Sequence, residues 1–108
     1  MYKNPLKIFS NIVWFVVLSK LTDEGAKTLK EKPERVKEVN KELESYGVRV
    51  VYQFVTFGEY DFVNIVEVDR PENLLRALIE INSRGSVRTT TLYAFPVDEA
   101  IKALKSQT

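Results

Sequence analysis

The sequence predicts an α+β domain in which two β-α-β units contribute four strands to one antiparallel sheet. Three observations carry this. Strand-like and helix-like stretches alternate in the order β-α-β-β-α-β. The link between the second and third strands is short enough only for a hairpin, which makes those two antiparallel neighbours. The chain has 108 residues, room for one core and no second.

Each element follows from local pattern. Residues Met1 to Asn11 mix Lys, Pro, Asn and aromatics without periodicity and read as an N-terminal arm. Ile12 to Leu18 is β-branched and aromatic throughout and apolar at both alternating phases, the mark of a central strand covered on both sides. Thr22 is placed to cap a helix whose first turn carries Asp23 and Glu24, where the helix dipole favours acids. Ala26 and Leu29 supply its apolar side. Pro33 breaks the pattern and restarts the helix. Val36, Val39, Leu43 and Tyr46 then recur at helical spacing until Gly47 stops it.

Val48 to Phe57 and Asp61 to Val68 are the second and third strands, joined by Gly58, Glu59 and Tyr60. Pro71 opens the next helix, with Leu74, Leu75, Leu78, Ile79 and Asn82 along one side and Gly85 at its end. Val87 to Phe95 is the fourth strand, and Pro96 ends it. Val97, Ala100, Ile101 and Leu104 give a C-terminal amphipathic helix over 97–106. Residues 12–108 thus form a single domain. With right-handed crossovers, this order folds as a ferredoxin-like sandwich with its helices on one face of the sheet.

Composition narrows the function classes. The net charge is +1, with acids and bases interleaved, so a phosphate-binding stripe for nucleic acid is not expected. There is no cysteine and no histidine. This removes disulfides, thiolate metal sites, the commonest general base and the commonest metal ligand. No metal-ligand spacing or glycine-rich phosphate loop occurs, and no cofactor is expected. The longest apolar run is too short for a membrane span and lacks a cleavage site, so a cytoplasmic protein is the default.

The sheet face turned away from the helices carries the functional question. Val68 precedes the second main helix and is placed to pack on Leu74. Phe62, Asn64, Val66 and Val68 then face the helices, while Asp61, Val63, Ile65 and Glu67 face away. By the same logic Val87, Thr89, Thr91 and Tyr93 point to the helices and Arg88, Thr90, Leu92 and Ala94 to the open face. A mostly apolar face cannot stay in water. Covering it with a second copy offers tens of kcal/mol of gross burial for a contact of ~1,600 Å². A homodimer or larger ring closed through the sheet is expected.

Candidate ligand-binding residues on this reading are Gly58, Tyr60, Asp61, Glu67, Arg88 and Thr90, polar enough to orient a small molecule between sheet and partner. A plainer reading stands beside it: Asp61 and Glu67 are strand-end charges that pair with Arg88 or Arg49, and Gly58 with Asp61 simply builds the turn. If the domain were an enzyme, Asp61 or Glu67 would have to be the base, with its pKa raised by an apolar cavity against the partner. Trp14, Tyr52 and Tyr93 read as packing residues. Ser19 and Ser83 have no histidine to activate them.

The segments Lys20 to Lys27 (KLTDEGAK), Pro33 to Val36 (PERV), Gly58 to Asp61 (GEYD) and Ser86 to Leu92 (SVRTTTL) together resemble the GYD-domain family over about residues 12 to 96. The signature is carried by Gly58, Tyr60 and Asp61. The resemblance implies a ferredoxin-like, dimeric α/β-barrel fold and, since the family has no established general activity, nothing beyond fold and dimer. Residues 55 to 94 also resemble the RAM domain of leucine-responsive and asparagine-type regulators. That likeness implies sheet-mediated dimers, higher rings and amino-acid binding between dimers near Gly58 to Asp61. No helix-turn-helix half accompanies it here, so DNA reading is not implied. Three function classes follow: a non-catalytic small-molecule-binding or regulatory module, a cofactor-independent oxygenase- or isomerase-type enzyme, or a structural assembly protein.

Overall fold

The computed structural model describes residues 11–106; the N-terminal arm, apart from Asn11, lies outside the described residues. The elements run β1 (Val13–Leu21), α1 (Asp23–Glu31), α2 (Arg35–Ser45), β2 (Arg49–Val55), β3 (Phe62–Val68), α3 (Pro71–Ser83), β4 (Val87–Ala94) and α4 (Val97–Lys105). All strand pairs are antiparallel, in the order β2-β3-β1-β4. This is the ferredoxin-like arrangement, with the first crossover helix divided in two and a C-terminal helix appended.

The division lies where Pro33 requires it. Lys32 closes α1 with its amide on the Thr28 carbonyl, and α2 starts at Arg35 with Glu34 as its N-cap, so Pro33 sits in the turn ahead of the helix rather than in its first position. Thr22 does cap α1: its Oγ1 accepts from the Gly25 amide at 3.1 Å. The same hydroxyl donates to the Gly85 carbonyl at 2.7 Å, and the Thr22 amide donates to the Ser86 carbonyl at 3.0 Å. One residue therefore ties the start of α1 to the chain entering β4.

Ala26 is exposed, and the residue α1 buries is Gly25, because the helix lies against backbone there. A Cβ on Gly25 would stand 2.0 Å from the Ser86 carbonyl oxygen. On α3 the buried stripe is Leu74 and Ala77, with Leu78 packed beside them, whereas Leu75 and Ile79 are mostly exposed. The expected leucine-rich side is thus rotated, since Ala77 lets the helix approach the sheet closely. Pro71 opens α3 at its first turn. Arg76 lies over the Tyr46 ring at 5.7 Å, joining α3 to the end of α2.

The core is Val17, Val48, Val66, Val68, Leu74 and Ala77, between the two central strands and the helices. Register and burial put Phe62, Asn64, Val66 and Val68 on the helix side. Tyr93 pairs with Phe15 and Ala94 with Trp14, so Thr89, Thr91 and Tyr93 share the helix side while Arg88, Thr90, Leu92 and Ala94 share the other. On β2 the register slips between Val50 and Tyr52. The extra residue, Val51, reverses the alternation, so that Val50 and Gln53 both face the helices and Tyr52 and Phe54 both face away. Among the described residues no helix is long and apolar enough to cross a membrane.

Candidate functional site

Two surfaces can bind something. The first is the open face of the sheet. Trp14, Val16 and Leu18 of β1 run down its middle, flanked by Val63 and Ile65 of β3, Tyr52 and Phe54 of β2 and Leu92 of β4. Tyr52, Phe54 and Leu92 are 42%, 57% and 50% exposed, so large apolar side chains reach the surface at the rim of this face. A shallow hollow on it is walled by Trp14, Ile65, Tyr52, Phe95 and Pro96. On α4, Val97 and Ile101 are 72% and 45% exposed.

The polar residues singled out from the sequence do not converge on this face. Asp61, just ahead of β3, and Glu67 near its end stand six residues apart, about 20 Å at ~3.3 Å per residue. Glu67 is buried beside Trp14 in the register, with Arg49 Nε 4.0 Å from its Oε1. Asp61 is at the opposite end, where its Oδ2 accepts from the Leu21 amide at 2.7 Å while its own amide donates to the Ser19 carbonyl at 2.8 Å. The carboxylate thus extends the β3–β1 ladder by one bond past the last paired residue. Arg88 curls round the sheet edge to donate to the Asn82 carbonyl at 3.0 Å. Thr90 pairs with Leu18 across from Val63. Gly58 has φ +121°, a conformation that favours glycine, in the β2–β3 turn. The Tyr60 carbonyl there accepts from Thr56 Oγ1 at 2.7 Å. Gly58, Tyr60 and Asp61 therefore build the hairpin, with Glu67 remote from them.

The second surface lies on the helix side and has no counterpart in the sequence-based expectations. A half-enclosed hollow of about 170 Å³ sits between the sheet and α1, α2 and α3, its lining mostly apolar and including Val39, Leu43, Leu78 and Ile81. Sealed and dry, a void of this size would cost about 4 kcal/mol at ~24 cal/mol per Å³. A chain of amides crosses its floor. Asn40 Nδ2 donates to Gln53 Oε1 at 2.8 Å, and Gln53 Nε2 donates to Asn64 Oδ1 at 2.8 Å. Asn64 Nδ2 in turn donates to the Val17 carbonyl at 2.8 Å and to Ser19 Oγ at 3.1 Å. The β2 bulge makes this possible by turning Gln53 inward. Asn64 at a helix-facing position of an apolar strand was the available signal in the sequence, because a polar side chain there must find partners.

Arg35 and Arg84 are the charged lining residues, and their partial exposure marks the mouth. Arg84, just past the end of α3, clasps Glu42 of α2 through both guanidinium nitrogens, Nη1 to Oε1 at 2.8 Å, and also reaches Glu80 Oε2 at 3.0 Å. The hydrogen bonds from Arg84 hold the Glu42 carboxyl below the usual carboxylate range, against an opposing effect of burial. The Arg84 guanidinium is correspondingly raised, first by Glu42 and then by Glu80. Arg35 is bonded to Glu38 at 3.0 Å.

Among the described residues, no three acidic side chains gather closely enough to hold a metal ion. A further exposed group is the aromatic edge of β4, where Tyr93 packs edge-on against Phe15 and tilts onto Phe95.

Comparison with known proteins agrees with the architecture. The chain is 55% identical over 92 residues to the glutamine synthetase and cystathionine beta-lyase binding protein of Thermus thermophilus, a match covering 84% of this chain and 97% of that protein. Among solved structures, MtbAldR (Rv2779c) superimposes with a TM-score of 0.64 at 14% identity, covering 89% of this chain and 59% of its own. The feast or famine regulatory protein Rv3291c of M. tuberculosis, complexed with L-methionine, gives 0.60 at 17%, covering 89% and 58%. This chain spans about three-fifths of the length of those two regulators. The likeness shows a fold shared with their RAM domains. The GYD domain model matches residues 15–104, and with the hairpin of Gly58, Tyr60 and Asp61 in place the chain belongs to the GYD-domain family.

Proposed function

We propose that this domain is a non-catalytic, homo-oligomeric binding module that docks on metabolic enzymes of the kinds its Thermus relative is named for, glutamine synthetase and cystathionine β-lyase. The observation that carries the reading is the 55% identity extending over 97% of that relative, which leaves almost none of it without a counterpart here. The chemistry supports the non-catalytic part. Asp61 and Glu67, the two carboxylates singled out as candidate bases, are about 20 Å apart at ~3.3 Å per residue, one bonded to a backbone amide and the other facing Arg49.

Self-association uses the open face of the sheet. Trp14, Val16, Leu18, Ile65, Tyr52 and Leu92 form an apolar surface whose burial by a second copy is favoured by roughly 25 cal/mol per Å². The hairpin tip, where Phe57 is 98% exposed, and the exposed Val97 at the start of α4 then remain at the periphery for an enzyme partner.

The test is biolayer interferometry of the immobilised protein against the glutamine synthetase and cystathionine β-lyase of its own source organism, with sedimentation velocity on the protein alone. Saturable binding of at least one enzyme, weakened by Phe57→Ala, is expected. Retention of neither enzyme at tens of micromolar overturns the partner assignment. A lone protomer at micromolar concentration overturns the sheet-mediated oligomer, as does an Ile65→Lys variant that sediments like wild type.

A further inference from the structure

We propose that the hollow between the sheet and the helix layer is a binding site for a small uncharged organic molecule with an apolar body and one hydrogen-bond acceptor. The proposal is independent of the enzyme-binding reading. Its size comes first: about 170 Å³ is comparable with cavities that admit a single six-membered ring. The walls from α2 and α3 are aliphatic, with Val39, Leu43, Leu78 and Ile81 among them, so they reward an apolar body.

The polar requirement comes from Ser19. This residue is 8% exposed and lines the hollow. Its Oγ accepts from Asn64 Nδ2 at 3.1 Å, and among the described residues no acceptor takes the proton of its own hydroxyl. The neighbouring amides are already engaged. Asn64 Oδ1 accepts from Gln53, Gln53 Oε1 accepts from Asn40, and both Asn64 Nδ2 contacts are donations. A buried donor left over at the floor of an apolar hollow selects a ligand that brings a carbonyl or ether oxygen.

The mouth sets the charge. Arg35 and Arg84 border it, and they face three carboxylates: Glu38 on Arg35, and Glu42 with Glu80 on Arg84. With both guanidiniums committed and the acids in excess, an anion gains no net attraction on entering, and a cation would be desolvated among aliphatic walls. The Arg84–Glu42 clasp also bridges α3 to α2 across the rim, so ligand entry couples to the spacing of these two helices.

The experiment is a ¹H–¹⁵N NMR titration of the full chain with three probes: cyclohexanone, toluene as the acceptor-free body, and benzoate as the anion. Saturable shifts of the Ser19, Asn64 and Leu78 amides with cyclohexanone are expected, with weaker binding of toluene and none of benzoate. Ser19→Ala should weaken cyclohexanone by about three- to tenfold, the worth of one hydrogen bond, and leave toluene unchanged. Val39→Phe, which fills the hollow, should abolish both. The absence of saturable shifts for cyclohexanone and toluene overturns the proposal, as do shifts confined to the open face. If Ser19→Ala binds cyclohexanone like wild type, the acceptor requirement is refuted. Should Val39→Phe fail to fold, the Ser19→Ala comparison decides alone.

Discussion

Replacing Gly25 with alanine should destabilise this protein, although the same change in most helices stabilises it. Gly25 lies in the first turn of α1, and helix propensity alone favours alanine by about 1 kcal/mol. The structure opposes that gain. The new Cβ would meet the Ser86 carbonyl oxygen at 2.0 Å and Leu21 Cδ2 at 3.2 Å. The first obstacle is backbone, so α1 must move by more than about 1 Å to restore van der Waals separation. Overpacking of this kind costs about 1–3 kcal/mol. The movement also stretches the Thr22 amide bond to Ser86 and the Thr22 hydroxyl bond to Gly85, each worth about 1 kcal/mol. About 2–4 kcal/mol of net destabilisation remains, against roughly 5–15 kcal/mol for a whole domain. Urea titration followed by far-ultraviolet circular dichroism, at fixed protein concentration, reads it directly. The midpoint should fall with little change in slope. Ala26→Gly, at an exposed position of the same helix, should cost only about 1 kcal/mol and calibrates the propensity term. A Gly25→Ala protein as stable as wild type, or more so, would refute the close approach of α1 to Ser86.

Two further outcomes follow from the hydrogen bonds. Asp61→Ala removes the carboxylate that takes the Leu21 amide and should cost about 1–3 kcal/mol in the same urea assay, whereas Asp61→Asn keeps an acceptor and should cost less; equal losses would mean that the bond is not what matters. Glu42, held below its ordinary pKa by Arg84, contributes stability that is complete above the unfolded carboxyl value of about 4.3 and is lost as pH falls through the lower folded value. Glu42→Gln should therefore be less stable than wild type at pH 7 by at most ~1 kcal/mol, the pair being partly exposed, and the gap should close in acid; a gap that persists at pH 2 argues against the ion pair as its source.

How much of this could be read along the chain is clearest on particular strands. β1 is apolar at both alternating phases for nearly its whole length, so its central place follows from pattern alone, and the facing of Asn64 and Val66 follows from alternation once Val68 is set beside Leu74. Thr22 and Gly47 likewise announce a helix start and a helix stop through local chemistry. α3 was less legible. Leu75 and Ile79 look like core in one dimension, yet the helix turns Ala77 to the sheet because a small residue permits close approach. The site was least legible. Asp61 and Glu67 fall on the same alternation phase in the sequence, and only the start of β3 at Phe62 and the Leu21 contact separate their roles.

The sequence by itself determined the order of elements, the sheet and the apolar open face, because these depend on periodicity and on residues adjacent in the chain. Tertiary structure alone decided the Val51 bulge that swings Gln53 inward, the amide chain from Asn40 to Ser19, and the clasp between Glu42 and Arg84. Those pairs are 11 to 45 residues apart. A contact between distant residues is set by register and helix spacing in three dimensions, and a one-residue slip in a strand reverses every side chain beyond it.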